Sequence, residues 1–328
     1  MDNEYLLEVK NISKKFTSKD HTIPAVRNVN FNLKNGEIFS IVGESGCGKT
    51  TTGRIILRLI EADTGEIWFK GKNIRTMSKR TLKGIRPSMQ IIFQDPYSSL
   101  NPRMNVRKLL SESIMTDKGL SKQEVQQECE RLITSVGLEV DDLNKYPHEF
   151  SGGQRQRIGI ARAIATKPDL IICDEPVSAL DLLVQAQILN LLKKLQVDYG
   201  YSYIFISHNL SVVKHVSDRI AIMYLGQIVE VGKTDEIFES PHHPYTKLLL
   251  DSILKIEPNS NLDLDYECFG GGEMENDEDL CSFYNRCPFG DENCRNFENE
   301  YERITETHYV ACKKTHHNES GKAAVIRS

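Results

Sequence analysis

The run Gly43-Glu44-Ser45-Gly46-Cys47-Gly48-Lys49-Thr50 fits the spacing G-x-x-x-x-G-K-[ST], which suits the cradling of phosphates. Glycines let successive backbone N–H groups close on an anion, and a helix opening where the loop ends adds its dipole. Lys49 is then placed to reach outer phosphates and the Thr50 hydroxyl to hold Mg²⁺, with Thr51 beside them at the helix opening. A second pair, Asp174-Glu175, follows the apolar run Leu170-Ile171-Ile172-Cys173. Read as chemistry, Asp174 is a direct or indirect Mg²⁺ partner and Glu175 polarises an attacking water. Read plainly, they are an acidic turn after a core strand; the phosphate loop upstream favours the first reading. A third element, Ser151-Gly152-Gly153-Gln154, precedes the helix-forming stretch 155–165 and makes a second anion-binding helix start. One chain thus carries two complementary halves of a nucleotide site.

The surrounding pattern supplies elements to position these groups. Turn signals separate apolar runs that predict strands over 5–9, 25–33, 37–42, 66–69 and 89–93. The run 37–42 feeds the glycine-rich loop, and 51–60 has helical periodicity, giving the strand, loop, helix order that a phosphate loop requires. Residues 106–137 are charged and periodic in Leu, Ile and Val, which predicts a small helical subdomain within about 95–150. The runs 169–173 and 203–206 read as buried parallel strands with polar residues at their carboxyl ends, where open α/β sheets place their chemistry. The expected fold class is therefore α/β.

Composition narrows the function. The 328 residues are 39% hydrophobic with one Trp, enough for one large α/β domain and a smaller appendage. The net charge of −5, with basic residues scattered, marks no nucleic-acid or anionic-lipid surface. No stretch approaches the roughly 18 apolar residues needed to span a bilayer, so membrane association is expected only through a partner. The first residues lack the basic flank and apolar run of a secretory leader, and a cytosolic location is expected. Thiols are kept reduced there, so the eight cysteines are not expected to pair as disulfides. Five of them, Cys268, Cys281, Cys287, Cys294 and Cys312, crowd the last quarter, after an acidic, glycine-containing stretch at 263–279 that reads as a linker or mobile segment.

Phe150-Ser151-Gly152-Gly153-Gln154 closely resembles the signature of the ABC ATPase family, and the other family motifs follow in order. Gln94, after Ile91-Ile92-Phe93, resembles the Q-loop glutamine that contacts Mg²⁺ or water. Ser178-Ala179-Leu180-Asp181 resembles the D-loop, and His208 the switch histidine that contacts the γ-phosphate. Taken singly, each has an ordinary reading: a polar strand end, a helix cap, a surface histidine. Phe16 stands where the family carries an aromatic that stacks on adenine, and a core role for it is equally open. The resemblance implies an ABC ATPase core with an antiparallel β subdomain and a helical subdomain over 1–240. It implies two ATPase subunits packed head to tail, each closing its signature over ATP held by the other.

The strings at 94–102, 179–190 and 243–246 look like the oligopeptide/dipeptide importer ATPases, whose extension would occupy 241–328. That likeness implies ATP hydrolysis driving an importer for di- or oligopeptides, with nickel or glutathione as other cargoes in the branch. The implied partners are a second, paralogous ATPase subunit, two permease subunits and, through them, an extracellular substrate-binding protein, at the cytoplasmic face of the membrane. Two departures from the branch, Leu182-Leu183 and Asn209, fall where no chemical role is assigned. A soluble ABC ATPase of DNA repair or translation is the competing class, but it calls for a long coiled-coil insertion or tandem cassettes, and neither occurs. In the extension, Cys281, Cys287, Cys294 and Cys312 match the pattern that holds a [4Fe–4S] cluster in peptide-importer ATPases, forming a small cysteine-rich lobe. Structural zinc and unliganded thiols are the alternatives; no C-x2–4-C pair occurs to favour zinc. Cys268 is left as a spare thiol.

Overall fold

Two sheets with different hydrogen-bonding habits carry the fold. The computed structural model describes residues 4–18, 22–114, 119–254, 280–295 and 301–313. Along the chain, β1 (Leu7–Thr17) and β2 (Thr22–Leu33) pair antiparallel over nearly their whole length, with bulges. They join β4 (Thr64–Phe69) and β5 (Lys72–Asn73) in an antiparallel sheet of order β2-β1-β4-β5. The predicted segments 5–9 and 25–33 are thus parts of a longer hairpin whose outer half is exposed and lacks an apolar run to announce it.

The second sheet holds β3 (Ile38–Val42), β6 (Met89–Ile92), β7 (Leu170–Asp174), β8 (Ser202–Ser207), β9 (Arg219–Tyr224), β10 (Gln227–Lys233), β11 (Glu302–Arg303) and β12 (Tyr309–Val310). Its order is β11-β12-β10-β9-β3-β8-β7-β6, with β9, β3, β8, β7 and β6 parallel. Every residue of β3, β7 and β8 is buried, as expected for strands covered on both faces. Alternation divides them between two cores. Ile38 and Val42 join Ile171, Tyr203 and Phe205 against the helices, while Phe39 and Ile41 join Ile172, Ile204 and Ile206 against the antiparallel sheet.

The first helix, α1 (Lys49–Ile56), begins two residues before the predicted 51–60 and stops where Arg58 turns to φ 49°. α2 (Lys79–Ile85) and α3 (Pro96–Ser99) are short. α4 (Val106–Ile114) and α5 (Lys122–Ser135) form the expected helical region, packed by Leu109, Leu110, Leu132 and Ile133 into the same core as α6 (Gly152–Ile164). α7 (Leu182–Tyr199), α8 (Leu210–Val216), α9 (Thr234–Glu239) and α10 (Pro244–Leu254) follow among the described residues.

The sequence predicts a small cysteine-rich lobe, and the described residues of that segment lean on the main body. β12 adds to the main sheet by pairing with β10, and Tyr245, Leu248, Leu250 and Phe283 belong to the same buried cluster as β3 and β8. The reason is size: so short a segment cannot bury a core of its own, so it borrows one. The stretch 263–279 and Cys268 lie outside the described residues.

Candidate functional site: a phosphate loop at the centre of a parallel sheet

The loop 43–48 emerges from β3, which is flanked by β8 and β9 in the middle of the sheet. Two of its glycines are sterically required. A Cβ on Gly43 would overlap the Met223 carbonyl oxygen, and Gly48, at φ 106°, faces the Ala25 carbonyl in the same way. Gly48 caps α1 and accepts the Thr52 N–H at 2.9 Å, so the loop ends on the first turn of a helix. Lys49 is almost fully buried, and its ammonium donates to the Gly43 and Glu44 carbonyls, both at 2.8 Å. The cation is thereby folded back over the loop's own backbone. Burial pushes the neighbouring Cys47 thiol up, which leaves it a packing group rather than a nucleophile.

Three strand ends deliver the polar partners. From β7, Asp174 accepts the Thr50 hydroxyl at 2.7 Å. Burial raises its carboxyl above the ordinary value, opposed by that hydrogen bond and by the charge of Arg54. Glu175 follows in the left-handed region at φ 47°, uncommon for a residue with a side chain, and its N–H donates to the Ile206 carbonyl at 3.0 Å. Its carboxylate collects groups from two neighbouring strands. Gln94 Nε2, just beyond β6, donates at 3.1 Å, and His208 Nδ1, just beyond β8, lies 3.2 Å from the other oxygen. A cavity of about 240 Å³ opens here, lined by Ser45, Gly46, Gly48, Lys49, Thr50, Thr51, Gln94 and Glu175, with Ala25 from β2. Ala25 carries no sequence signal, because it contributes through its place on the neighbouring sheet.

Other candidates do not reach this cavity. Ser151 caps α6, accepting the Gln154 N–H at 3.4 Å, while Gln154 Oε1 accepts the Ser151 N–H at 2.9 Å. Gly153 packs so closely on Val184 that a Cβ would collide with it, and a Cβ on Gly152 would sit 3.5 Å from Leu180. Asp181 caps α7 by accepting the Val184 N–H at 3.0 Å. The signature and the 178–181 segment therefore form one unit outside the cavity lining. Phe16 lies on β1, 43% exposed, with Lys14 Nζ 5.6 Å from its ring centroid; it is not a core residue. Asn209, one of the two departures, caps α8 by accepting the Ser211 and Val212 N–H groups.

The four cysteines come near one another without forming a ligand set. The Cys281 N–H donates to the Cys294 carbonyl at 3.0 Å. Burial pushes the Cys281 thiol up to about 12, and Cys294, Cys312 and Cys287 add to the shift. Among the described residues, no group of three or more His, Cys, Asp or Glu side chains is arranged to hold a metal ion. Sulfur ligands must converge to within roughly 2.3 Å of a common metal. The geometry therefore lends no support to the expected [4Fe–4S] cluster or to zinc. No disulfide joins the described cysteines.

Comparison with known proteins agrees with this architecture. The family described as ABC transporter matches residues 26–178, and the one described as oligopeptide/dipeptide transporter, C-terminal region, matches 229–294. The oligopeptide transport ATP-binding protein OppF of Haemophilus influenzae is 45% identical over 94% of this chain and 93% of its own length. AppF of Bacillus subtilis, also an oligopeptide transport ATP-binding protein, is 42% identical over 95% and 98%. Among solved structures, the ATP-binding cassette MJ0796, in a dimeric post-hydrolysis state bound to ADP and Pi, superposes with a TM-score of 0.64 at 30% identity, covering 70% of this chain and 98% of that one. With a phosphate loop, paired strand-end carboxylates and matches along almost its whole length, the chain belongs to the ABC transporter ATP-binding proteins of the oligopeptide/dipeptide family.

Proposed function

We propose that this chain is the ATP-binding and ATP-hydrolysing subunit of an oligopeptide importer. The observation that carries the reading is the convergence of Gln94 and His208 on Glu175 at the rim of the phosphate-loop cavity. The backbone of 43–51 and the Lys49 ammonium hold the phosphates once Lys49 exchanges its carbonyl partners for phosphate oxygens. Thr50, Asp174 and Gln94 supply hard oxygen donors, a set that suits Mg²⁺. Bound there, Mg²⁺ would supply positive charge against the negative charge that develops on the phosphates. Glu175 orients and polarises the attacking water, Gln94 and His208 hold its carboxylate in place, and His208 also faces the γ-phosphate.

Ser151, Gly152, Gly153 and Gln154 act on the nucleotide of a second ATPase subunit, a paralogue, with Asp181 beside them. Two features support this: the signature lies outside its own chain's cavity lining, and the related cassette MJ0796 is dimeric. We assign Phe16, exposed on β1, to stack on the adenine ring. We assign the ATPase unit to 1–240 and the importer-type extension to 241–328. Two permease subunits and an extracellular binding protein complete the complex at the cytoplasmic face. Among the described residues no helix is long and apolar enough to cross a membrane. The [4Fe–4S] cluster on Cys281, Cys287, Cys294 and Cys312 rests on resemblance alone, and iron and zinc analysis of anaerobically purified protein decides it.

The test of the site separates binding from chemistry. Glu175→Gln should keep ATP binding while turnover falls by roughly 10²- to 10⁴-fold, and Lys49→Ala should weaken binding itself. Equal ATP affinity in the Lys49 variant and the parent would overturn the assignment of the loop.

A further inference from the structure

Glu44, the second residue of the phosphate loop, is gripped at each of its polar groups. Its N–H donates to the Tyr245 hydroxyl at 3.1 Å, and its carbonyl accepts from Lys49 Nζ at 2.8 Å. Its carboxylate accepts from both terminal nitrogens of Arg286, at 3.1–3.3 Å. Lys49 opens the helix after the loop, and within the loop the Cys47 N–H also donates to the Glu44 carbonyl, at 3.3 Å. Tyr245 sits in the first turn of α10, and Arg286 lies 242 positions along the chain, next to Cys287.

Arg286 is itself held from behind. Its guanidinium stands over the rings of Tyr224 and Phe283, at 5.6 and 5.7 Å from their centroids, and donates to the Tyr224 hydroxyl at 3.3 Å. Tyr224, Tyr245 and Phe283 contact one another with centroids 4.5–5.5 Å apart, and all three are buried. The extension thus presents a fixed, charged fork to the loop.

The charge arithmetic gives the contact a consequence. A carboxylate one residue into a phosphate loop opposes an anionic ligand, and a guanidinium paired with it removes that opposition. The Glu44 carbonyl is also one of the two rests of the Lys49 ammonium, so the conformation of Glu44 bears on where that cation waits.

We propose that Arg286 is a positioning residue for ATP binding: by pairing with Glu44 it neutralises and orients the phosphate loop, and so ties nucleotide affinity to the cysteine-bearing segment. The proposal rests on the reading of that loop as the ATP site. Equilibrium ATP binding and steady-state hydrolysis of the full-length chain test it through a double-mutant cycle. Arg286→Gln should raise the Kd and KM for ATP by about two- to fivefold, the range of a partly exposed ion pair, with kcat within about twofold of the parent. In a Glu44→Gln background the same change should have little effect. Arg286→Lys, which keeps the charge but loses the fork, should bind ATP more tightly than Arg286→Gln. Unchanged affinity in Arg286→Gln, a fall in kcat at constant KM, an equal loss in both backgrounds, or a Lys variant as weak as the Gln variant would each overturn the role. These results are distinct from a failure of the site itself, which appears as ATP binding that survives Lys49→Ala.

Discussion

The phosphate loop and the signature loop share their local chemistry, since each is a glycine-bearing start of a helix, yet they stand differently in the fold. The first lies at the middle of the parallel sheet, where Asp174, Glu175, Gln94 and His208 arrive from neighbouring strand ends. The second begins α6, satisfies itself with a reciprocal Ser151–Gln154 cap, and packs on Leu180 and Val184. Both helix starts suit an anion, but only at the first do other side chains of the same chain converge. The phosphate loop is furnished from within the chain; in the proposed composite site, the signature loop would meet its ligand across a second subunit.

The sharpest way to break this comparison is to place a negative charge in the second loop. Gly152→Asp should leave ATP binding by the isolated chain unchanged and reduce hydrolysis in the assembled transporter by roughly tenfold to a hundredfold, because the carboxylate would face a γ-phosphate held by the partner. Full activity of the assembled variant would show that the two loops do not serve one composite site.

A smaller change sharpens the difference in how the two helix starts are held. Ser151→Ala removes the cap of α6 and should cost about 1 kcal/mol of stability, measured by chemical unfolding. α1 has no side-chain cap to lose, because Gly48 holds that position.

The smallest expected effect concerns charge in the furnished half. Burial raises the Asp174 carboxyl, so its ionised form costs stability above the folded pKa, and that cost is relieved as pH falls through it. Asp174→Asn should therefore raise the melting temperature of nucleotide-free protein at neutral pH while impairing Mg²⁺-dependent hydrolysis. The thermal gain should shrink on acidification. A lower melting temperature for the variant at neutral pH would mean that the carboxylate stabilises the site rather than burdening it.

What could be read from the chain was local. The G-x-x-x-x-G-K-[ST] spacing, the apolar runs that became β3, β7 and β8, and the carboxylates ending β7 are each written in fewer than ten consecutive residues. Their physical causes, phosphate-binding backbone and burial on both faces, act over the same short range. The ladder of β10 with β12 was not legible, because a two-residue strand has no periodicity and exists only when an edge is there to receive it. Tertiary packing alone brought Gln94 to Glu175 across 81 positions and Arg286 to Glu44 across 242. It also kept the signature outside its own chain's cavity lining and left the four cysteines close but short of a ligand set. Sequence spacing selects which groups a chain owns; which of them meet depends on strand order and on where the extension finds a surface to cover, and both are non-local choices.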